Sequence, residues 1–178
     1  MRYAALLRGI NVGGHKKIAM AELREVLGRL GYQDAVTYLQ SGNAVFTCPQ
    51  QPARKLSLAI EEAIAAEFGK DVRVMIRTGT ELAGVLSRSP LPGAPENPSR
   101  FFVAFLSAAP DPERVRQIEE ESFGADKVWV SGSEAFLWCP AGAAETVLTN
   151  SMIEKRLGVA ATSRNWNTAS KLASLTSA

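Results

Sequence analysis

Apolar residues in this chain alternate in short runs, recur at helical spacing, then alternate again, and the pattern occurs twice. Strand side chains repeat every second residue and helical ones about every 3.6, so the two spacings can be told apart by position alone. Arg2 to Leu7 is expected as a strand, followed by a Gly-rich loop from Gly9 to Lys17. Leu23, Val26, Leu27 and Leu30 predict a helix that stops at Gly31. Val36 to Leu39 and Ala44 to Thr47 are expected as a hairpin, with Gly42-Asn43 as a two-residue type II′ turn that wants glycine first. Pro52 opens a second predicted helix carrying Leu56, Ile60, Ile64 and Phe68 and ending at Gly69. Val72, Val74 and Ile76 then alternate with Arg73 and Arg77 as a fourth strand. The order is β-α-β-β-α-β, that of a ferredoxin-like unit.

A further helix is expected from Thr80, with Leu82, Val85 and Leu86 on one side. Ser89 to Pro98 contains four prolines and reads as a linker, since proline removes a donor and fixes φ. The second half begins with a strand from Arg100 to Leu106, and a helix follows with Asp111 as cap and Pro112 at its first position. Val128-Trp129-Val130-Ser131-Gly132-Ser133-Glu134-Ala135-Phe136-Leu137-Trp138-Cys139-Pro140 is the next hairpin. It repeats the text from Val36 to Pro49, with Ser41 expected to match Ser131 and Cys48 to match Cys139. A helix through Ala144, Val147, Leu148 and Met152 is expected to close at Gly158. A short strand from Ala161 to Ser163 and a last helix carrying Ala169, Leu172 and Ala173 complete the chain.

Internal repetition of this kind governs the whole architecture. The expected fold is α+β: two ferredoxin-like units in tandem, each βαββαβ with a trailing helix, related by internal duplication. The expected boundaries are 1–89, a Pro-rich linker at 90–99, and 100–178. Both faces of each first strand are apolar, with Tyr3, Ala5 and Leu7 against Ala4 and Leu6, and Phe101, Val103 and Phe105 against Phe102, Ala104 and Leu106. An open antiparallel sheet would alternate apolar with polar, so the faces away from the helices are expected to be covered.

Charge and composition narrow the function. With 178 residues and a net charge of +2, nothing suggests a polyanion partner, and a nucleic-acid partner is not expected. No run is long enough to cross a membrane, and Arg8 interrupts the only apolar stretch near the start. Two cysteines without an export signal predict reduced thiols and a cytoplasmic location. A single histidine, His15, leaves no multi-histidine metal site and no well-placed triad, and no cofactor is implied.

Three sequences stand out: Leu6-Leu7-Arg8-Gly9-Ile10-Asn11-Val12-Gly13-Gly14, Thr37-Tyr38-Leu39-Gln40-Ser41-Gly42-Asn43, and Thr162-Ser163-Arg164-Asn165-Trp166-Asn167-Thr168. Together they closely resemble the bacterial family known as domain of unknown function 1697, in the right order and over nearly the whole chain. The resemblance implies the duplicated ferredoxin-like fold and implies no activity.

The loop from Arg8 to Lys17 combines Gly9, Gly13 and Gly14 with Arg8, His15, Lys16 and Lys17. Such a loop can offer backbone N–H groups to an anion at the positive end of a helix. It is not a Walker A loop, because His15 stands at the lysine position, and its glycines are wrongly spaced for a dinucleotide fingerprint. The bland alternative is a long connection that needs glycine for positive φ. Ser41 and Asn43 are expected at the same end of the sheet, within reach of Arg8 and Asn11. Arg164 and Asn165 form a third candidate group, for which a structural role is the favoured reading. One hypothesis is therefore a binding module for a small phosphate- or carboxylate-bearing ligand, using Arg8, Gly9, Asn11, Gly13, Gly14, Lys16, Ser41, Asn43, Arg164 and Asn165. The second is a protein interaction or assembly module, and an enzyme is a third class for which no paired acid and base is present.

Overall fold

The computed structural model describes residues 1–90 and 96–177; residues 91–95, the centre of the expected linker, and Ala178 lie outside the described residues. The chain is mixed α and β, and its described residues form two four-stranded antiparallel sheets and six helices. Its contacts divide it into two compact units, Met1–Ala83 with Leu172–Ala178, and Gly84–Lys171. The sequence pattern put the whole third helix in the first half and the whole last helix in the second; the contacts divide each of these helices between the units.

In the first unit, β1 (Arg2–Leu7) is followed by α1 (Met20–Arg29), β2 (Gln33–Thr37), β3 (Asn43–Thr47), α2 (Ala53–Phe68), β4 (Val74–Thr78) and the start of α3 (Gly79–Ser87). The strand order is β2-β3-β1-β4, with every pair antiparallel. β1 and β2 therefore run the same way with β3 between them, each helix crossing over a strand that it does not follow. One face of β1, with Tyr3, Ala5 and Leu7, packs on Leu23 and Leu27 of α1 and Leu56, Ile60 and Ile64 of α2. Phe46 stacks on Tyr32 at 4.5 Å between ring centroids and on Tyr3 at 5.9 Å, an arrangement that adds to simple area burial. Ala4, Leu6, Val45 and Met75, which alternate with these positions, are buried as well. The expectation that both faces of the sheet are covered is met in this unit.

The second unit contains β5 (Phe101–Leu106), α4 (Pro112–Glu120), β6 (Lys127–Ser131), β7 (Glu134–Trp138), α5 (Asn150–Leu157), β8 (Ala161–Asn165) and the start of α6 (Trp166–Ser177). Its strand order is β6-β7-β5-β8. The registers correspond position by position: Ala5 faces Ala44 and Ala4 faces Arg77 in one sheet, while Ala104 faces Ala135 and Val103 faces Arg164 in the other. Ala104, Leu106, Ala135 and Leu137 pack with Ile118, Ile153 and Leu157 of its helices. On the alternate face Phe101 lies 6.3 Å from Phe136 and 5.2 Å from Trp166.

Five local expectations are corrected. The first hairpin does not turn at Gly42-Asn43: Asn43 already belongs to β3, and Tyr38 N donates to Asn43 O at 2.9 Å, leaving Leu39 to Gly42 as a four-residue loop. The second hairpin has the expected two-residue turn, because Ser131 pairs with Glu134 across Gly132-Ser133. Ser131 thus corresponds in register to Tyr38 and not to Ser41, although Gly42 and Gly132 both have the expected positive φ, at 90° and 62°. β2 runs from Gln33 to Thr37, earlier than expected, with a register shift between Gln33 and Val36. α5 starts only at Asn150, because Thr146 Oγ1 accepts from Leu148 N and donates to Asp126 Oδ2, holding that stretch in turns. α3 starts one residue before Thr80, where Thr78 and Glu81 form a capping box: Thr78 N donates to Glu81 Oε2 and Glu81 N to Thr78 Oγ1.

Candidate functional site

The β1–α1 loop is built around a turn. His15 N donates to Val12 O at 3.0 Å, and Gly13 and Gly14 between them have φ of 56° and 78°. Positive φ at both central residues is the type I′ turn, which glycine adopts at no steric cost. Asn11 N donating to Lys16 O at 3.2 Å extends this into a miniature hairpin. Gly13 and Gly14 are thereby assigned a backbone reason for being glycine.

Asn11 is the brace of the region. Its Oδ1 accepts from Ile18 N at 2.9 Å, and its Nδ2 donates to Ile18 O at 3.0 Å and to Gln40 O at 2.6 Å. One side chain thus pins the far end of its own loop and reaches the Leu39–Gly42 loop. A second tie is main chain: Leu7 N donates to Gly42 O at 2.8 Å. Asn43 is fully buried and donates to Tyr38 O at 2.8 Å and to Ser41 Oγ at 3.0 Å, which shapes the same loop from inside. Arg8 is half-buried, with its N–H on Arg73 O, and Gly9 follows it with φ of 66°. Lys16 Nζ donates to Asp71 O. The structure brings Asn11, Ser41 and Asn43 to one end of the first sheet, as the topology predicted, and there they hold the two loops together.

Beside this braced pair of loops is an open depression of about 560 Å³ lined by Asn11, Gly14, Lys17, Ile18, Ala19, Glu22 and Gln40. It lies at the start of α1, whose N-cap residue Ala19 supplies no side-chain acceptor. The first-turn N–H groups of a helix carry the positive end of its dipole, and here no capping oxygen covers them. Glu22, in that first turn, offsets part of this field. Of these lining residues, Asn11 and Gly14 were among the expected ligand contacts, and Lys17 was noted only as one of the basic side chains of the loop. Ala19 and Glu22 carried no pattern of their own, because what brings them to Asn11 and Gln40 is the loop path and not their spacing.

Arg164 and Asn165 belong to the second unit. Arg164 is 7% exposed, donates from Nη1 to Thr162 Oγ1 at 2.8 Å and to Ser163 O at 2.9 Å, and burial lowers its pKa to about 10. Arg77 holds the corresponding position of the first sheet and is also buried, donating to Ile76 O at 2.8 Å. Asn165 is the cap of α6, with Oδ1 accepting from Thr168 N at 2.9 Å. Asn165→Ala is expected to lower stability by about 1 kcal/mol in urea melts, the usual worth of an N-cap side chain. Sequence reading also passed over Glu134, buried where the first unit has Asn43; its Oε2 pairs with Arg88 Nη2 at 2.9 Å, and Arg88 Nη1 donates to Ser131 Oγ at 3.0 Å. A carboxylate at the head of the apolar run Ala135-Phe136-Leu137-Trp138 was the available signal. Cys48 and Cys139 are buried and free, and burial raises both thiols.

Two four-stranded antiparallel sheets in two units, with a depression at a braced loop pair, define the class of protein: a two-unit α+β chain. Residues 1–136 match the model of the family described as protein of unknown function (DUF1697), and the chain belongs to that family. A solved structure described as conserved bacterial protein SP0830 from Streptococcus pneumoniae is similar, with 25% sequence identity, a TM-score of 0.76 and 98% of each chain covered. No curated protein matches the chain.

Proposed function

We propose that this chain is a duplicated ferredoxin-like protein of the cytoplasm whose first unit binds a small anionic ligand, phosphate- or carboxylate-bearing, at the Gly-rich β1–α1 loop. The observation that carries the reading is the open depression where Gly14, Lys17 and the uncapped start of α1 meet. The duplication is supported by the matching strand orders and registers of the two sheets. Backbone N–H groups at a helix start and a nearby ammonium group are the ordinary elements of an anion site. In this reading Lys17 supplies charge, and Gly14 and the first turn of α1 supply donors. Asn11 and Asn43 act by holding the loops and not by touching the ligand. Gly9, Gly13 and Ser41 shape the same loops, and Arg8 and Lys16 contribute to the local positive field.

The test is a thermal-shift titration with inorganic phosphate, acetate and adenosine monophosphate. A ligand that binds only the folded state must raise its stability, by about 2.7 kcal/mol at a hundredfold excess over Kd. Lys17 is exposed and makes no hydrogen bond or ion pair among the described residues. Lys17→Ala is therefore expected to leave the unliganded Tm unchanged while weakening phosphate binding about tenfold, the scale of one charge-assisted hydrogen bond. An equal shift in wild type and Lys17→Ala, or no shift with any of the three anions, would sink the reading.

A further inference from the structure

The same end of the first unit presents apolar side chains that its fold does not use. Val12, at the base of the type I′ turn, is 63% exposed, and Leu39, in the first hairpin loop, is 53% exposed. Their chain neighbours Asn11 and Gln40 are joined by the 2.6 Å hydrogen bond described above, so the two residues sit on loops fixed to one another. Isolated exposed aliphatic residues are ordinary on any surface. A pair on two braced loops next to a polar depression and a lysine-bearing loop is a different matter.

Leu39 has φ of 61°, a conformation that leucine adopts only at a cost. The fold does not require it, because the second unit joins the corresponding strands with Gly132-Ser133 alone. The longer loop of the first unit therefore holds a leucine in an unfavourable backbone state and presents it to water. The β1–α1 connection is rich in basic residues, Arg8, His15, Lys16 and Lys17 lying within residues 8–19, which contain no acid, while in the depression itself Lys17 is met by Glu22. Only Glu22 among the lining residues of the depression is acidic.

We infer that Val12 and Leu39, together with Lys17 and the depression beside them, dock an acidic protein segment that carries an apolar side chain. This deepens the anion-binding reading and rests on it, since the anion would be a carboxylate of the partner. Aliphatic contacts at an interface supply affinity once water is excluded, and complementary charge supplies register and rate. A free metabolite of the phosphate or acetate class has nothing to place against Val12 and Leu39. A lipid surface is the poorer fit, because the cationic groups border a concavity and not a flat patch.

The experiment pans a displayed library of random twelve-residue peptides against the whole chain, with inorganic phosphate titrated in parallel. Enriched peptides are expected to place Asp or Glu within a few residues of Leu, Ile or Phe. Their binding should fall at least tenfold in the Val12→Ser/Leu39→Gly double variant and weaken as salt screens the charges. Both substituted side chains are exposed, and glycine suits the backbone at residue 39, so the double variant should keep its Tm. The single variants, each expected to lose part of the binding, cover a failure of the double one to fold. Peptides with no acidic and apolar bias, or ones that bind the variant equally, overturn the inference. Leu39-dependent binding of phosphatidylglycerol vesicles with no enriched peptide also overturns it, in favour of a lipid surface. A phosphate shift with no enriched peptide overturns it and leaves the anion-binding reading standing, whereas loss of both removes both.

Discussion

Gly42→Ala is expected to destabilise the protein by about 3 kcal/mol, far beyond an ordinary turn substitution. Two independent costs combine. Gly42 has φ of 90°, where an L side chain is strained, at about 1 kcal/mol or more. Gly42 is also buried, and a Cβ built on it would lie 2.8 Å from Ile10 Cδ1, Ile10 Cγ1 and Leu7 Cβ. Ile10 and Leu7 are fully buried members of the core and cannot move aside freely, so overpacking adds about 1–3 kcal/mol. Gly132 provides the internal control: its φ is 62°, but the nearest atom to an added Cβ is Arg88 Nη1 at 3.6 Å. Gly132→Ala should show only the backbone cost, about 1 kcal/mol. The measurement is a pair of urea melts with and without Ile10→Val, which removes Cδ1 and should recover part of the Gly42→Ala loss. Equal losses for Gly42→Ala and Gly132→Ala would show that the contact with Ile10 carries no energy.

Asn11→Ala is expected to cost about as much, again roughly 3 kcal/mol, although Asn11 is a half-buried loop residue. The substitution strands the Ile18 N–H, which donates to Asn11 Oδ1, and releases the carbonyls of Ile18 and Gln40. A buried group left without its partner costs about 1–3 kcal/mol. Asn11 also has φ of 55°, which asparagine tolerates and alanine does not, adding about 1 kcal/mol. Asn11→Gly separates the two contributions: it loses the same hydrogen bonds but fits the backbone, and should be less destabilising than Asn11→Ala by that amount. Should Asn11→Ala melt like wild type and yet abolish ligand binding, Asn11 would be a ligand contact and not a brace.

The two asparagines show where sequence reading stops. Asn11 and Asn43 stood out for their residue type and their place in a Gly-rich text, and their convergence on one end of the sheet followed from the order of strands. Their role did not follow, because a free amide and a fully engaged one look the same in a sequence. Only the positions of Ile18, Gln40, Tyr38 and Ser41 around them decide it. The turn length failed for a similar reason. Ser-Gly followed by a polar residue suits a two-residue turn in both hairpins, yet Tyr38 pairs with Asn43 in one and Ser131 with Glu134 in the other. In the first sheet Asn43 is buried and already belongs to β3, so the turn lies before it.

The order of strands and helices, the two-fold repeat of that order and the burial of both faces of β1 and β5 were determined by the sequence alone. They rest on local periodicity and apolar content, which each segment carries by itself. Tertiary structure alone decided which polar residues are spent on holding loops, which helix start is left uncapped, and that Val12 and Leu39 remain in water. Those outcomes depend on partners distant in the chain, such as Gln40 for Asn11 and Ile10 for Gly42, and no local spacing encodes which distant atoms will meet.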